Sequence, residues 1–131
     1  MEGELGPQEG AERYEQLVRD ALGDTPAWDL LLLGLGPDGH CASLFPGKPE
    51  VDVDDRLVVG VPEAGLEPFV PRISLTLPAI EAARHVVFLV TGESKRDAVR
   101  RVFVEGERAL PAARVRPAGL LTVLLDPAAA P

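Results

Sequence analysis

Cysteine is almost absent. Cys41 is the single one among 131 residues, so neither a disulfide framework nor a cysteine-based metal site can be built within one chain. Basic residues are scarce as well: 13 Lys and Arg stand against 21 Asp and Glu, for a formal charge of −8 and a sequence pI of about 4.7. No basic stripe stands out, which argues against nucleic acid as a partner. No apolar run approaches the roughly 20 residues of a membrane-crossing helix. Met1 to Gly6 lacks the basic region and apolar core of a secretory signal, and a reducing, cytoplasmic setting is expected. The two histidines, His40 and His85, are far apart with no ligand pattern near either, so no metal is expected.

What remains is a moderately apolar chain, 46% by composition, long enough for one domain with one core. Residues 1–10 are polar and glycine-rich and read as a flexible lead-in, with the folded unit spanning 11–131. Ala11, Tyr14, Leu17, Val18, Ala21 and Leu22 recur at helical spacing, with Gly23 as a stop. Trp28 to Leu33 reads as a strand buried on both faces. His40 to Phe45 has room for one short helical turn before Pro46-Gly47. Leu57 to Val61 reads as a second strand, Pro62 to Pro71 as a loop, and Arg72 to Leu77 as a strand with a polar face. Pro78 suits the first turn of a helix through Ala83. His85 to Val90 is the strongest later strand, followed by a helix over Glu93 to Val104, a short turn at Pro111, and a last strand over Leu120 to Leu125. Pro127 to Pro131 reads as a frayed tail or a cut helix. Strands alternating with helices imply a layered α/β fold with a largely parallel sheet flanked by helices. Four or five strands make a thin sheet for this class.

Chemistry concentrates in Gly34-Leu35-Gly36-Pro37-Asp38-Gly39-His40, where an apolar run ends in a glycine-rich turn carrying an Asp and a His one residue apart. Loops at the carboxyl ends of strands are where open α/β sheets place their sites, and a carboxylate beside an imidazole sets up proton transfer near neutral pH. The letters also match a dinucleotide-binding fingerprint. That reading fails because the fingerprint needs a long helix after its last glycine, whereas Pro46-Gly47 stops one within two turns. Asp38 would also set negative charge at the pyrophosphate position. Lys95 is the second signal. It lies three and four residues before Ala98 and Val99, on the inward face of its helix, in a first turn where a cation is unfavourable against the helix dipole unless an anion binds there. A Lys snorkelling from the core edge is the alternative. Arg72 alone, at the start of a strand, is unremarkable. Cys41 adjoins the His and admits a Cys–His nucleophile pair, although Ala42 and Leu44 beside it suggest a small packing residue.

With these residues assembled, the chain resembles the glucosamine-6-phosphate isomerase/6-phosphogluconolactonase family, and within it the lactonases. Gly34 to Gly47 carries the signature. Arg72-Ile73-Ser74 is similar to the family's Arg-Ile-(Thr/Ser) strand, Gly92-Glu93-Ser94-Lys95 to its Gly-x-x-Lys turn, and Leu120 to Ala129 to its closing strand and Asp-x-Ala-Ala segment. The resemblance covers the C-terminal half of the family's length only; a Ser/Gly-rich phosphate loop and an Asp-Glu-Arg motif are not present. Ala42-Ser43-Leu44-Phe45-Pro46 departs from the Ala-Phe-Asn-Glu-Pro-like continuation of the deaminases.

The resemblance implies a Rossmann-like phosphosugar fold and hydrolysis of 6-phospho-D-glucono-1,5-lactone to 6-phosphogluconate in the pentose phosphate pathway. A lactone carbonyl is already electrophilic, so activated water suffices and no cofactor is required. His40 is expected to be general base and acid, with Asp38 orienting the turn or the imidazole. Backbone N–H groups of Gly36 and Gly39 are expected to meet the substrate at the oxyanion. Arg72 and Lys95 are expected to hold the 6-phosphate, the Arg giving a bidentate fit. Two other readings stay open: an inactive fragment that self-associates or needs the absent N-terminal half as its partner, and a deaminase or isomerase acting on an amino sugar phosphate.

Overall fold

A computed structural model describes residues 1–131. In chain order its elements are α1 (Pro7–Leu22), β1 (Leu31–Leu33), β2 (Val58–Val61), β3 (Arg72–Leu75), α2 (Leu77–Glu81), β4 (His85–Val90), α3 (Arg96–Val99) and β5 (Leu120–Leu125). Short 3-10 turns lie at Gly3–Leu5, Pro49–Asp52, Glu93–Lys95 and Pro111–Arg114. A π turn, Arg100–Val104, continues α3. No helix is long and apolar enough to cross a membrane.

The main sheet is parallel, in the order β1-β4-β5, and the α/β class expected from the pattern holds. Leu33 pairs with Phe88, and Phe88 with Val123. Directly paired residues of a parallel sheet share a face, so alternate positions divide it into two surfaces. One carries Leu33, Val86, Phe88 and Val90, all buried. Phe88 meets Phe103, from the helical segment after β4, edge-on at 5.1 Å between ring centroids. The opposite surface carries Leu32, Leu89, Leu120 and Leu124, each more than half exposed. The strand expected over Trp28 to Leu33 is thus shorter, and it is buried on one face rather than two. A run of leucines marks an apolar strand without saying which face the chain itself covers.

β2 and β3 do not join the parallel sheet; they pair with each other, antiparallel, with Val59 opposite Ser74 and Val61 opposite Arg72. The polar-faced strand also ends at Leu75, because Thr76 caps α2: its Oγ1 accepts from the Ala79 amide, with Pro78 in the first turn as expected. No helical turn forms between His40 and Phe45; the chain makes a tight turn there, closed by the Leu44 amide donating to the Cys41 carbonyl at 3.0 Å.

Residues 1–10 are not a frayed lead-in from Pro7 onward. Pro7 sits in the first turn of α1, where its missing N–H costs nothing. Gly10 is buried against Ile73. The C-terminal segment is anchored too. Ala129 is fully buried, and its amide donates to Asp126 Oδ1 at 2.8 Å.

Glu15 fastens α1 to the β2–β3 ribbon. It is buried, Oε1 accepts from Arg19 Nη2 at 2.7 Å, and Oε2 accepts from Arg56 Nε at 3.3 Å and the Val58 amide at 3.4 Å. Burial pushes the carboxyl pKa up, but hydrogen bonds from Arg19, the Leu57 and Val58 amides and Arg56 together outweigh it, leaving the group below its ordinary value. A depressed carboxyl binds its proton more weakly in the folded than in the unfolded chain. Its contribution is therefore present above the unfolded value near ~4.3 and lost as pH falls through the folded one. Glu15→Gln is expected to lower stability at pH 7 by about 1–3 kcal/mol, with the gap from wild type narrowing as urea melts are repeated toward pH 3. A gap that stays constant with pH would rule out the charge as its cause.

Candidate active site

The parallel direction of β1 and β4 brings their carboxyl ends to the same edge of the sheet. From β1 the chain enters the turn of Gly34 to His40; from β4 it enters Gly92 and the turn Glu93–Lys95. His40 and Lys95 consequently border one cleft of about 530 Å³, floored by Leu33, Gly34, Leu35 and Gly36. Arg72, at the start of β3, borders a smaller recess of about 130 Å³ whose wall also includes His40 and Phe45. His40 is the residue with chemistry common to both spaces.

The turn itself is narrowly specified. The Gly36 amide donates to the His40 carbonyl at 2.8 Å, and the Gly39 amide to the Gly36 carbonyl at 3.0 Å. A Cβ on Gly36 would overlap the His40 ring and crowd Asp38 Oδ1. Gly39 has φ +84°, and a Cβ there would press on Leu110. Both glycines are required, for reasons different from those expected. Their N–H groups are spent closing the turn, so neither is free to face an oxyanion in this arrangement. Gly36 borders the cleft, and the arrangement gives Gly39 the role of turning the chain.

Asp38 Oδ1 lies 2.6 Å from His40 Nδ1 and also accepts the His40 amide at 3.2 Å. An ionised carboxylate only accepts, so Nδ1 carries the proton and Nε2 is the basic nitrogen of the neutral ring. Phe45 supports the imidazole, with ring centroids 4.6 Å apart. His40 keeps about a fifth of its side chain accessible. The ring is thus held from one side and open on another, the arrangement a proton-transfer residue requires.

Cys41 does not share this exposure. It is 1% accessible, and burial pushes its thiol pKa up to about 12, so the Cys–His nucleophile pair is excluded. Ala42 is the only non-glycine residue at positive φ, +50°. It faces both the cleft and the recess. The neighbouring Ser43 amide donates to Ser74 Oγ at 3.0 Å, tying the His40 turn to the strand that bears Arg72.

The two cations differ from the other basic residues nearby. Arg96, Arg100 and Arg101 are paired with carboxylates. Lys95, partly buried, makes no ion pair. Arg72 reaches only the Pro68 carbonyl, at 3.4 Å from Nη2, and its Nε is buried without a partner. His85 opens β4 and meets Thr122 Oγ1 at 2.8 Å, away from the cleft. Sequence reasoning missed Ser74, whose role depends on a contact 31 residues away. It noticed the Asp126 segment without assigning it a role.

The family model for glucosamine-6-phosphate isomerases/6-phosphogluconolactonase matches residues 1–124. The chain is 44% identical over 129 residues to 6-phosphogluconolactonase of Rattus norvegicus, covering 96% of this chain and 50% of the relative. It is 50% identical over 106 residues to that of Streptomyces coelicolor, covering 80% and 40%. Among solved structures, 6-phosphogluconolactonase from Trypanosoma cruzi superposes with a TM-score of 0.81 at 31% identity, over 94% of this chain and 51% of the other. A monomeric glucosamine-6-phosphate deaminase, at 24% identity and a TM-score of 0.71, shares the fold. The chain spans about half the length of the curated relatives it matches. The chain belongs to the glucosamine-6-phosphate isomerase/6-phosphogluconolactonase family.

Proposed function

We propose that this chain supplies the reacting groups of a 6-phosphogluconolactonase, hydrolysing 6-phospho-D-glucono-1,5-lactone to 6-phospho-D-gluconate. The observation that carries the proposal is the placing of His40, held by Asp38, between a cleft bordered by Lys95 and a recess bordered by Arg72. In this reading the 6-phosphate lies against Lys95 and Arg72, whose uncommitted charge suits a dianion. Water attacks C1 while His40 Nε2 takes its proton. The tetrahedral adduct then collapses with cleavage of the C1–ring-oxygen bond, and the imidazolium returns the proton to that oxygen. Asp38 stabilises the imidazolium between the two transfers. The product acid ionises in solution, so lactone and water yield carboxylate and one proton.

The reading extends to a partner. The leucine surface formed by Leu32, Leu89, Leu120 and Leu124 is the apolar face that a second layer covers in an α/β fold. We assign that cover to the half of the family's length that this chain does not span, either continuous with it or supplied as a separate polypeptide. Net charge disfavours self-association, since two copies would bring −8 against −8.

The test is lactone hydrolysis above the spontaneous rate. It is measured for the 131-residue chain alone and for the chain fused to the N-terminal half of the Streptomyces coelicolor relative. The fusion is expected to turn over the lactone and to release no ammonia from glucosamine 6-phosphate. A correctly folded fusion without lactonase activity would sink the proposal, and ammonia release would replace it with the deaminase reading.

A further inference from the structure

Lys95 stands on a turn whose position depends on a residue 31 places further along the chain. Asp126 follows β5, beside the end of β4, because the two strands are paired in register up to Val90 and Leu125. Both carboxylate oxygens accept the Gly92 amide, each at 3.1 Å, and Oδ1 also accepts the Ala129 amide at 2.8 Å. The Asp126 amide donates back to the Val90 carbonyl at 3.3 Å. Gly92 has φ +94°, and its carbonyl accepts the Lys95 amide at 3.1 Å. A connected series thus runs from the Asp126 carboxylate through Gly92 to the backbone of Lys95. Hydrogen bonds to an ionised acceptor are the stronger kind. This one fixes a glycine whose left-handed backbone is otherwise free to turn elsewhere.

We propose that Asp126 is a positioning residue for phosphate binding: it holds the Gly92–Lys95 turn so that the Lys95 ammonium stays over the cleft bordered by His40. The proposal rests on the reading of Lys95 as a phosphate ligand. Asp126 borders neither of the cavities near His40. Its effect on the ligand passes through Lys95, and that makes it separable from the anchoring of Ala129 by the same carboxylate.

The experiment is an amide-resolved NMR titration with 6-phospho-D-gluconate of the chain fused to the complementary half used in the turnover test. The wild type is compared with Asp126→Ala, Lys95→Ala and the double variant. Asp126→Ala is expected to weaken binding about tenfold, a loss of one polar anchor's worth of affinity. It should also speed hydrogen exchange at Gly92 and Ala129, while the His40 amide still responds to the ligand. In the Lys95→Ala background the same change is expected to have no further effect on affinity, because residues acting through one contact are not additive. Asp126→Asn keeps the side-chain shape but loses the charge and turns one acceptor into a donor, so it should lose part of the affinity in the wild-type background and none in the Lys95→Ala background; it covers the case in which the alanine variant fails to fold. Equal affinity of wild type and Asp126→Ala, or losses that simply add in the double variant, would overturn the positioning role alone. Failure of the wild-type fusion to bind 6-phosphogluconate at all would overturn the phosphosugar reading, and this proposal with it.

Discussion

His40→Ala, made in the chain fused to its complementary half, is expected to reduce lactone turnover by about 10²–10⁴-fold, the range over which a positioned acid–base group contributes. The size follows from there being one imidazole for two proton transfers. Neither neighbouring side chain replaces it: Asp38 is spent on Nδ1, and the Cys41 thiol is buried with its pKa near 12. His40→Asn keeps a polar side chain of similar reach and should leave 6-phosphogluconate affinity unchanged while turnover falls. Stopped-flow hydrolysis and equilibrium binding, measured on the same variants, separate the two. Turnover by His40→Ala within a few-fold of wild type would remove the imidazole from the mechanism.

Gly36→Ala is expected to be nearly as damaging, although the residue donates nothing to the substrate. The added methyl group overlaps the His40 ring and crowds Asp38 Oδ1. Either the imidazole leaves the carboxylate or the turn opens. Displacement of a reacting group by about 1 Å is enough for a loss of about 10²-fold in turnover. Overpacking of this kind costs about 1–3 kcal/mol of stability, so melting curves should show a moderate decrease and no loss of the fold. Gly34→Ala is the control. A Cβ at Gly34 meets nothing within 4 Å, so that variant should keep its stability near wild type; because Gly34 floors the cleft, the comparison is read in melting curves. Equal behaviour of the two alanine variants would refute the steric account.

The pattern of Gly34 to His40 was informative in sequence because its geometry is local. The contact of His40 with Asp38 spans two residues, so spacing alone anticipates it, whereas the Gly36–His40 contact emerged only in the fold. β4, β5 and the helical segment after β4 were legible for a similar reason: long runs with one dominant period leave little choice. Several features depended instead on what each segment meets. The alternation of Arg72 to Leu75 is equally compatible with a parallel or an antiparallel neighbour, and only the fold shows β2 beside it. The leucines of β1 announce burial without saying who provides it. Ser74 and Asp126 act across 31 and 34 residues, each by accepting from one distant amide, and such bonds leave no periodic trace. The oxyanion role expected of the Gly36 and Gly39 amides failed on a matter of accounting. A tight turn consumes the N–H groups that form it, and the tighter the turn the fewer remain.

The pairing of Leu33 with Phe88 has a further meaning for substrate choice. Parallel strands advance about 3.3 Å per residue, and their register cannot slip by one without turning every side chain to the opposite surface. The two loops that leave β1 and β4 are therefore held at a fixed mutual height, like the jaws of a calliper set once by the ladder between them. Under the lactonase proposal, that setting would measure the span from the attacked carbonyl to the phosphoryl group. Shortening or lengthening the sugar by one carbon shifts one end off its mark while the other stays seated. Discrimination by chain length would then reside in backbone pairing, and substitutions lining the cleft would alter affinity more readily than they alter the size of sugar accepted.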